Sequence, residues 1–152
     1  MRRAGNLWER IIGFENLLRA AHEAARGKRR KPDVARFSLE LEPELLALQQ
    51  ELASRRYTPG PYRTFWLHDP KARMISVAPF RDRVVHHALC RVIEPVLDRG
   101  FVESSFACRR GKGNHRALER FVGYCQRYRY VLLCDVRKFF PSIDHEVVLG
   151  LV

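Results

Sequence analysis

The stretch "TPGP", Thr58 to Pro61, constrains this chain more than any other four residues. Two prolines a residue apart remove two backbone donors and fix φ, so a regular helix or strand stops there. Apolar residues are spaced differently on its two sides. Before it, Leu7, Trp8, Ile11, Ile12, Leu18 and Ala21 recur at helical spacing, and 7–25 reads as one amphipathic helix stopped by the basic loop "GKRRKP", Gly27 to Pro32. "LEPELLALQQELASRRY" reads as a second helix, with Pro43 and Glu44 suited to its first turn and Leu45, Leu48 and Leu52 along one stripe.

After the break, strand-like runs at Tyr62–His68 and Arg73–Ala78 flank Asp69-Pro70-Lys71-Ala72, a hairpin turn with Lys71 and Arg73 on or beside its tip. "RDRVVHHALCRVIEPVLDRG" then reads as a mostly buried helix, with Val84, Val85, Ala88, Leu89, Val92, Ile93, Val96 and Leu97 on one broad face. Pro95 should kink or shorten its last turn, and Gly100 should stop it. A further helix from about Asn114 through Ala117, Leu118 and Phe121 leads to a strand, Arg129 to Cys134, that delivers Asp135. "SIDHEVVLGLV" opens another helix, with Ser142 or Asp144 able to cap it. Ending at Val152 would cut that helix in mid-face and expose Val147, Val148 and Leu151, so the sequence is expected to be an incomplete domain.

The partner follows from charge. Of 152 residues 46% are hydrophobic, enough for a real core, while 28 Lys and Arg against 17 Asp and Glu leave +11. Such a balance attracts phosphate backbones and makes nucleic acid the leading partner, although an acidic membrane surface would serve the same charge. No apolar run approaches the roughly 20 residues of a spanning helix. The start, Met1-Arg2-Arg3-Ala4-Gly5-Asn6, lacks the apolar segment of a signal peptide. Cys90, Cys108, Cys125 and Cys134 stand 18, 17 and 9 residues apart with no C-x-x-C pair. That pattern implies a reduced, cytoplasmic setting; two disulfides in a secreted protein are the alternative.

One aspartate carries the chemistry. "VLLCDVRKFF", 131–140, ends an apolar run on Asp135, and a carboxylate where a strand leaves its sheet is held rigidly enough to bind a divalent cation. An ordinary capping or turn aspartate is the competing reading. Phe140, five residues on, would lay a ring beneath whatever sits at the metal; taken alone, it and Phe139 read rather as core residues. Arg109-Arg110-Gly111-Lys112-Gly113 lacks the G-x-x-x-x-G-K-[ST] spacing of a phosphate loop. It reads as a close backbone approach to nucleic-acid phosphates, with Arg109 and Lys112 supplying charge, or as a basic surface turn. His86 and His87 are neighbours on a helix and point about 100° apart, a poor joint metal site. Asp144-His145 reads as a helix cap, and no readable nucleophile arrangement supports hydrolysis.

Three stretches, in order, resemble the bacterial reverse transcriptases, the group that includes group II intron maturases, retrons and diversity-generating retroelements. "KARMISVAPFRDRVVHHAL", 71–89, is similar to the first fingers motif, "FVESSFACRRGKGNHRAL", 101–118, to the second, and "LLCDVRKFFPSIDHEVV", 132–148, to the first palm motif. The resemblance implies an α+β chain with the fingers and partial palm of a right-hand polymerase: a helical region at 1–56, fingers at 57–127 and the start of a palm at 128–152. It implies RNA-directed DNA polymerase chemistry on RNA template, primer and dNTP, with Mg²⁺ held by Asp135 and the carbonyl of Val136. Phe140 becomes the residue that favours deoxyribose, and Lys71 and Arg73 the cations that grip the triphosphate. The pattern departs from group II proteins where Met74, Ile75 and Ser76 stand in place of Pro and Gly, which weakens Lys71 more than Arg73.

Two metals need more than one carboxylate, and no Tyr-x-Asp-Asp occurs in the 152 residues. The chain is therefore expected to polymerise nothing alone, while an intact parent, with or without an accessory protein, copies RNA. The alternatives are a non-catalytic RNA-binding module and a template-independent nucleotidyl transferase.

Overall fold

A computed structural model describes residues 4–151. Met1–Arg3 and Val152, read above from sequence, lie outside the described residues, as does the side chain of Leu151. The chain divides into two compact units, one running to Phe101 and the other from Val102. Helices with one small antiparallel sheet make it α+β, as expected.

The first unit holds α1 (Leu7–Ile12), α2 (Phe14–Ala25), α3 (Pro32–Leu39), α4 (Leu41–Ala53), β1 (Arg63–His68), β2 (Ala72–Val77) and α5 (Phe80–Asp98). The expected helix over 7–25 is broken at Gly13, whose ψ of 134° leaves the helical region. The break leaves carbonyls without helical partners, and side chains supply them: Asn16 Nδ2 donates to Ile11 O and Gln49 Nε2 to Ile12 O, each at 3.0 Å. Pro32, expected only to stop a helix, stands at the first position of α3, where its missing N–H costs nothing.

α5 is the central element and packs against α1, α2 and α3. The alanine face of α2, Ala20, Ala21, Ala24 and Ala25, lets backbones approach closely, and Leu17, Leu45, Leu48, Val34 and Val84 are fully buried around it. Removing each such Leu or Val from water stabilises the fold by roughly 1.5–3 kcal/mol, an upper estimate. The buried face of α5 is narrower than the sequence suggests: Val84, Ala88 and Val92 are buried, but Leu89 and Leu97 are exposed. Pro95 sits inside α5, which nevertheless runs on to Asp98.

β1 and β2 form the expected hairpin, with Arg63 opposite Val77, Leu67 opposite Arg73 and His68 opposite Ala72. The second unit holds α6 (Asn114–Cys125), α7 (Phe139–Ser142) and α8 (His145–Leu151). The expected strand Arg129–Cys134 is not formed; its segment belongs to no helix or strand. A strand exists through a hydrogen-bonded neighbour, and the only sheet among the described residues is the β1-β2 pair. No described residue from 102 onward is buried, so the core lies wholly in the first unit.

Candidate nucleic-acid interface

In the first unit the hairpin presents its cations to solvent. Residues 62–74 are all exposed, Lys71 at the bend and Arg73 on β2. Side chains alternate along a strand, so Arg73 shares one face with Ile75 and with their partners Leu67 and Phe65, while Met74, Trp66 and His68 take the other. On that second face the Trp66 and His68 rings lie 6.5 Å apart.

What holds the hairpin's base was not singled out from sequence. Three consecutive side chains at the start of α5 reach three different segments. Arg81 donates twice to Glu51 of α4, at 2.8 and 2.9 Å, and lies 3.4 Å from Glu44. Burial works against the Arg81 charge, but the hydrogen bonds and charge of Glu51, with Glu44 behind them, outweigh it and raise the pKa. Arg83 donates to Asp33 of α3 at 2.9 Å and stacks over Phe80. Asp82, only 3% exposed, accepts from the Tyr57 hydroxyl at 2.6 Å and from the Gly60 N–H at 2.9 Å. This buried carboxylate fixes the "TPGP" segment that leads into β1. Burial, then the Asp82 hydrogen bond, push the Tyr57 phenol well above its ordinary pKa. Gly60 is required there: a Cβ would meet the Pro79 ring at 2.9 Å. An acid flanked by two arginines in the first turn of α5 was the available signal.

In the second unit Arg109 and Lys112 build the loop that carries them. Arg109 Nη1 donates to Val102 O at 2.9 Å and Ser105 O at 3.1 Å. Lys112 Nζ donates to Glu103 O and lies 5.3 Å from the centre of the Phe106 ring. Gly111 and Gly113 take φ of 72° and 103°, conformations that glycine adopts without strain. The same residues also give the loop a basic surface, since Arg110 is exposed beside them.

Asp135, Val136 and Phe140 stand on one short segment, all exposed, with Phe140 at 82%. Phe140 lies in α7, edge-on to Phe139 at 5.3 Å. Asp144, not Ser142, caps α8: its Oδ1 accepts from the Glu146 N–H at 2.9 Å and from the Val147 N–H at 3.3 Å. Lys71 and Arg73 thus belong to the first unit and Arg109, Lys112, Asp135, Val136 and Phe140 to the second. Among the described residues no three His, Cys, Asp or Glu side chains group as metal ligands. A two-metal site does not fit the described residues, because Asp135 belongs to no such group. The four cysteines are free thiols, and burial with Glu94 raises the Cys90 pKa. No described helix is long and apolar enough to cross a membrane.

Comparison with known proteins gives distant relatives. The chain is 28% identical over 116 residues to Protein YkfC of Escherichia coli, covering 72% of this chain and 30% of that protein. It is 24% identical over 114 residues to the group II intron-encoded protein LtrA of Lactococcus lactis, covering 73% and 19%, and 28% identical to nuclear intron maturase 2 of Arabidopsis thaliana, covering 62% and 15%. The matched part thus spans less than a third of each relative's length. No family model matches the chain. Over 62–73% of this chain, its distant homologues thus include a group II intron-encoded protein and an intron maturase, the group that the three motif stretches resemble.

Proposed function

We propose that this chain is the fingers and first palm segment of an RNA-directed DNA polymerase of the intron-maturase type, and that its own activity is to bind RNA. The observation that carries the reading is the order of three motif-like stretches, 71–89, 101–118 and 132–148, in a chain distantly similar to intron-encoded proteins. Charge supports it: +11 over 152 residues suits a phosphate backbone, and Lys71 and Arg73 stand exposed on a hairpin whose base is fixed by a buried carboxylate. In the intact enzyme those two cations grip the dNTP triphosphate, Phe140 senses the sugar, and Arg109 and Lys112 lie against template or primer. Asp135 and the Val136 carbonyl contribute to a Mg²⁺ site whose remaining ligands other residues must supply. The four free thiols suit a reducing, cytoplasmic compartment.

A non-catalytic RNA-binding module is the second reading, favoured by the single carboxylate. Both readings expect the chain alone to extend no primer. In a primer-extension assay with RNA template, DNA primer, dNTPs and Mg²⁺, incorporation by the chain alone would overturn the one-carboxylate argument. Reading the genomic frame separates the two: continuation into a Tyr-x-Asp-Asp segment supports the polymerase, and a stop codon there supports the module.

A further inference from the structure

We propose that the loop Arg26–Lys31, between α2 and α3, is an additional RNA-binding site that grips phosphates without reading sequence; it rests on the RNA-binding reading above. Five of its six residues, Arg26, Lys28, Arg29, Arg30 and Lys31, are cations, and all are exposed. The sixth, Gly27, takes φ 70°, and the Lys28 N–H to Ala25 O and Lys31 N–H to Lys28 O bonds, each 2.9 Å, fold the loop into successive tight turns. A surface concavity is lined by Gly27, Lys28, Arg29, Arg30 and Lys31.

The acids nearest in sequence pair with α5 instead of the loop. Glu23, at the end of α2, is paired with Arg91 of α5, and Asp33, in the first turn of α3, with Arg83 of α5 at 2.9 Å. Among the described residues none of the five loop cations joins an ion pair. The fold gains little from them. Lys31 is the N-cap of α3, where a cation opposes the helix dipole. Like charges held within a few residues repel one another, and a polyanion relieves that repulsion.

The side chains also select the kind of contact. The loop has no aromatic ring for base stacking and no amide for reading base edges. Guanidinium and ammonium groups on a tight turn match phosphate oxygens, the first two-pronged and the second as a point charge. The site therefore takes an RNA backbone of any sequence.

The test is fluorescence anisotropy of the complete chain with two labelled RNAs of unrelated sequence, from 50 to 200 mM KCl, alongside sedimentation with phosphatidylserine vesicles. The unaltered chain should bind both RNAs equally. R26Q/K28Q/R29Q/R30Q/K31Q should flatten the slope of log K against log salt by about 2–3.5, at roughly 0.7 per phosphate contact for three to five contacts, and weaken binding at 100 mM by about a hundredfold or more. R29Q/R30Q, a milder variant, should flatten it by about 1.4. R26K/R29K/R30K should keep both slope and affinity. Unchanged RNA binding in both Gln variants overturns the loop site and leaves the RNA-binding function standing. An unaltered chain that binds neither RNA overturns both. Loop-dependent binding to vesicles with loop-independent binding to RNA assigns the charge to lipid and overturns the proposal.

Discussion

Asp82 is the residue on which the hairpin's position turns, because it is a buried carboxylate with two donors and, among the described residues, no ion-pair partner. Its environment favours the protonated phenol of Tyr57 as a donor, which raises the Tyr57 pKa through burial and the Asp82 bond. The unfolded chain gives up that proton near pH 10, before the folded chain does, so stability from this bond is complete below about pH 10 and declines as pH climbs above it. Urea midpoints at pH 8 and pH 10.8 should differ more in the unaltered chain than in Tyr57→Phe; equal differences would remove Tyr57 from the account. Asp82→Ala leaves the Gly60 N–H without its acceptor and should cost about 2 kcal/mol in the same titration. Gly60→Ala should destabilise by about 1–3 kcal/mol, since the Pro79 ring lies where the new methyl must go. Sequence periodicity could not find this latch. It is made between Tyr57, Gly60 and Asp82, up to 25 residues apart, and only folding shows which acid is buried.

At the scale of elements, local signals were legible wherever an element is satisfied by its own residues. The β1-β2 hairpin matches its expected bounds to within one residue, and α6 starts at Asn114 as the spacing predicts. The failures have common physical causes. Gly13 breaks an apparently continuous helix because Asn16 and Gln49 satisfy the freed carbonyls, and partners from elsewhere in the chain leave no mark on periodicity. The apolar run 129–134 has strand composition but no ladder. In the hairpin itself, function and stability should separate: Lys71→Ala and Arg73→Ala remove exposed side chains and should shift stability by no more than about 0.5 kcal/mol. Arg109→Ala should behave differently. It removes two hydrogen bonds that hold 102–113 together, and tryptic cleavage after Arg110 should quicken in that variant while Arg73→Ala leaves it unchanged.

For the whole molecule, burial is divided unequally. The core of Leu17, Val34, Leu45, Leu48 and Val84 belongs to the first unit, and the second has no buried described residue. Amides of α2 and α5 should therefore exchange with solvent slowest in the complete chain, and those beyond Val102 fastest. Of the candidate site, charge and the order of motifs were legible in the sequence. The division of the candidate residues between two units was not, because it depends on where apolar surface is buried. The central claim is that this chain's positive charge serves RNA. The most direct measurement is its affinity for an unstructured RNA as a function of KCl concentration. A linear fall of log K with log salt, with a slope steeper than about −3 and equal for unrelated sequences, is the predicted result. No binding at 50 mM KCl, or binding that salt leaves unchanged, would contradict it.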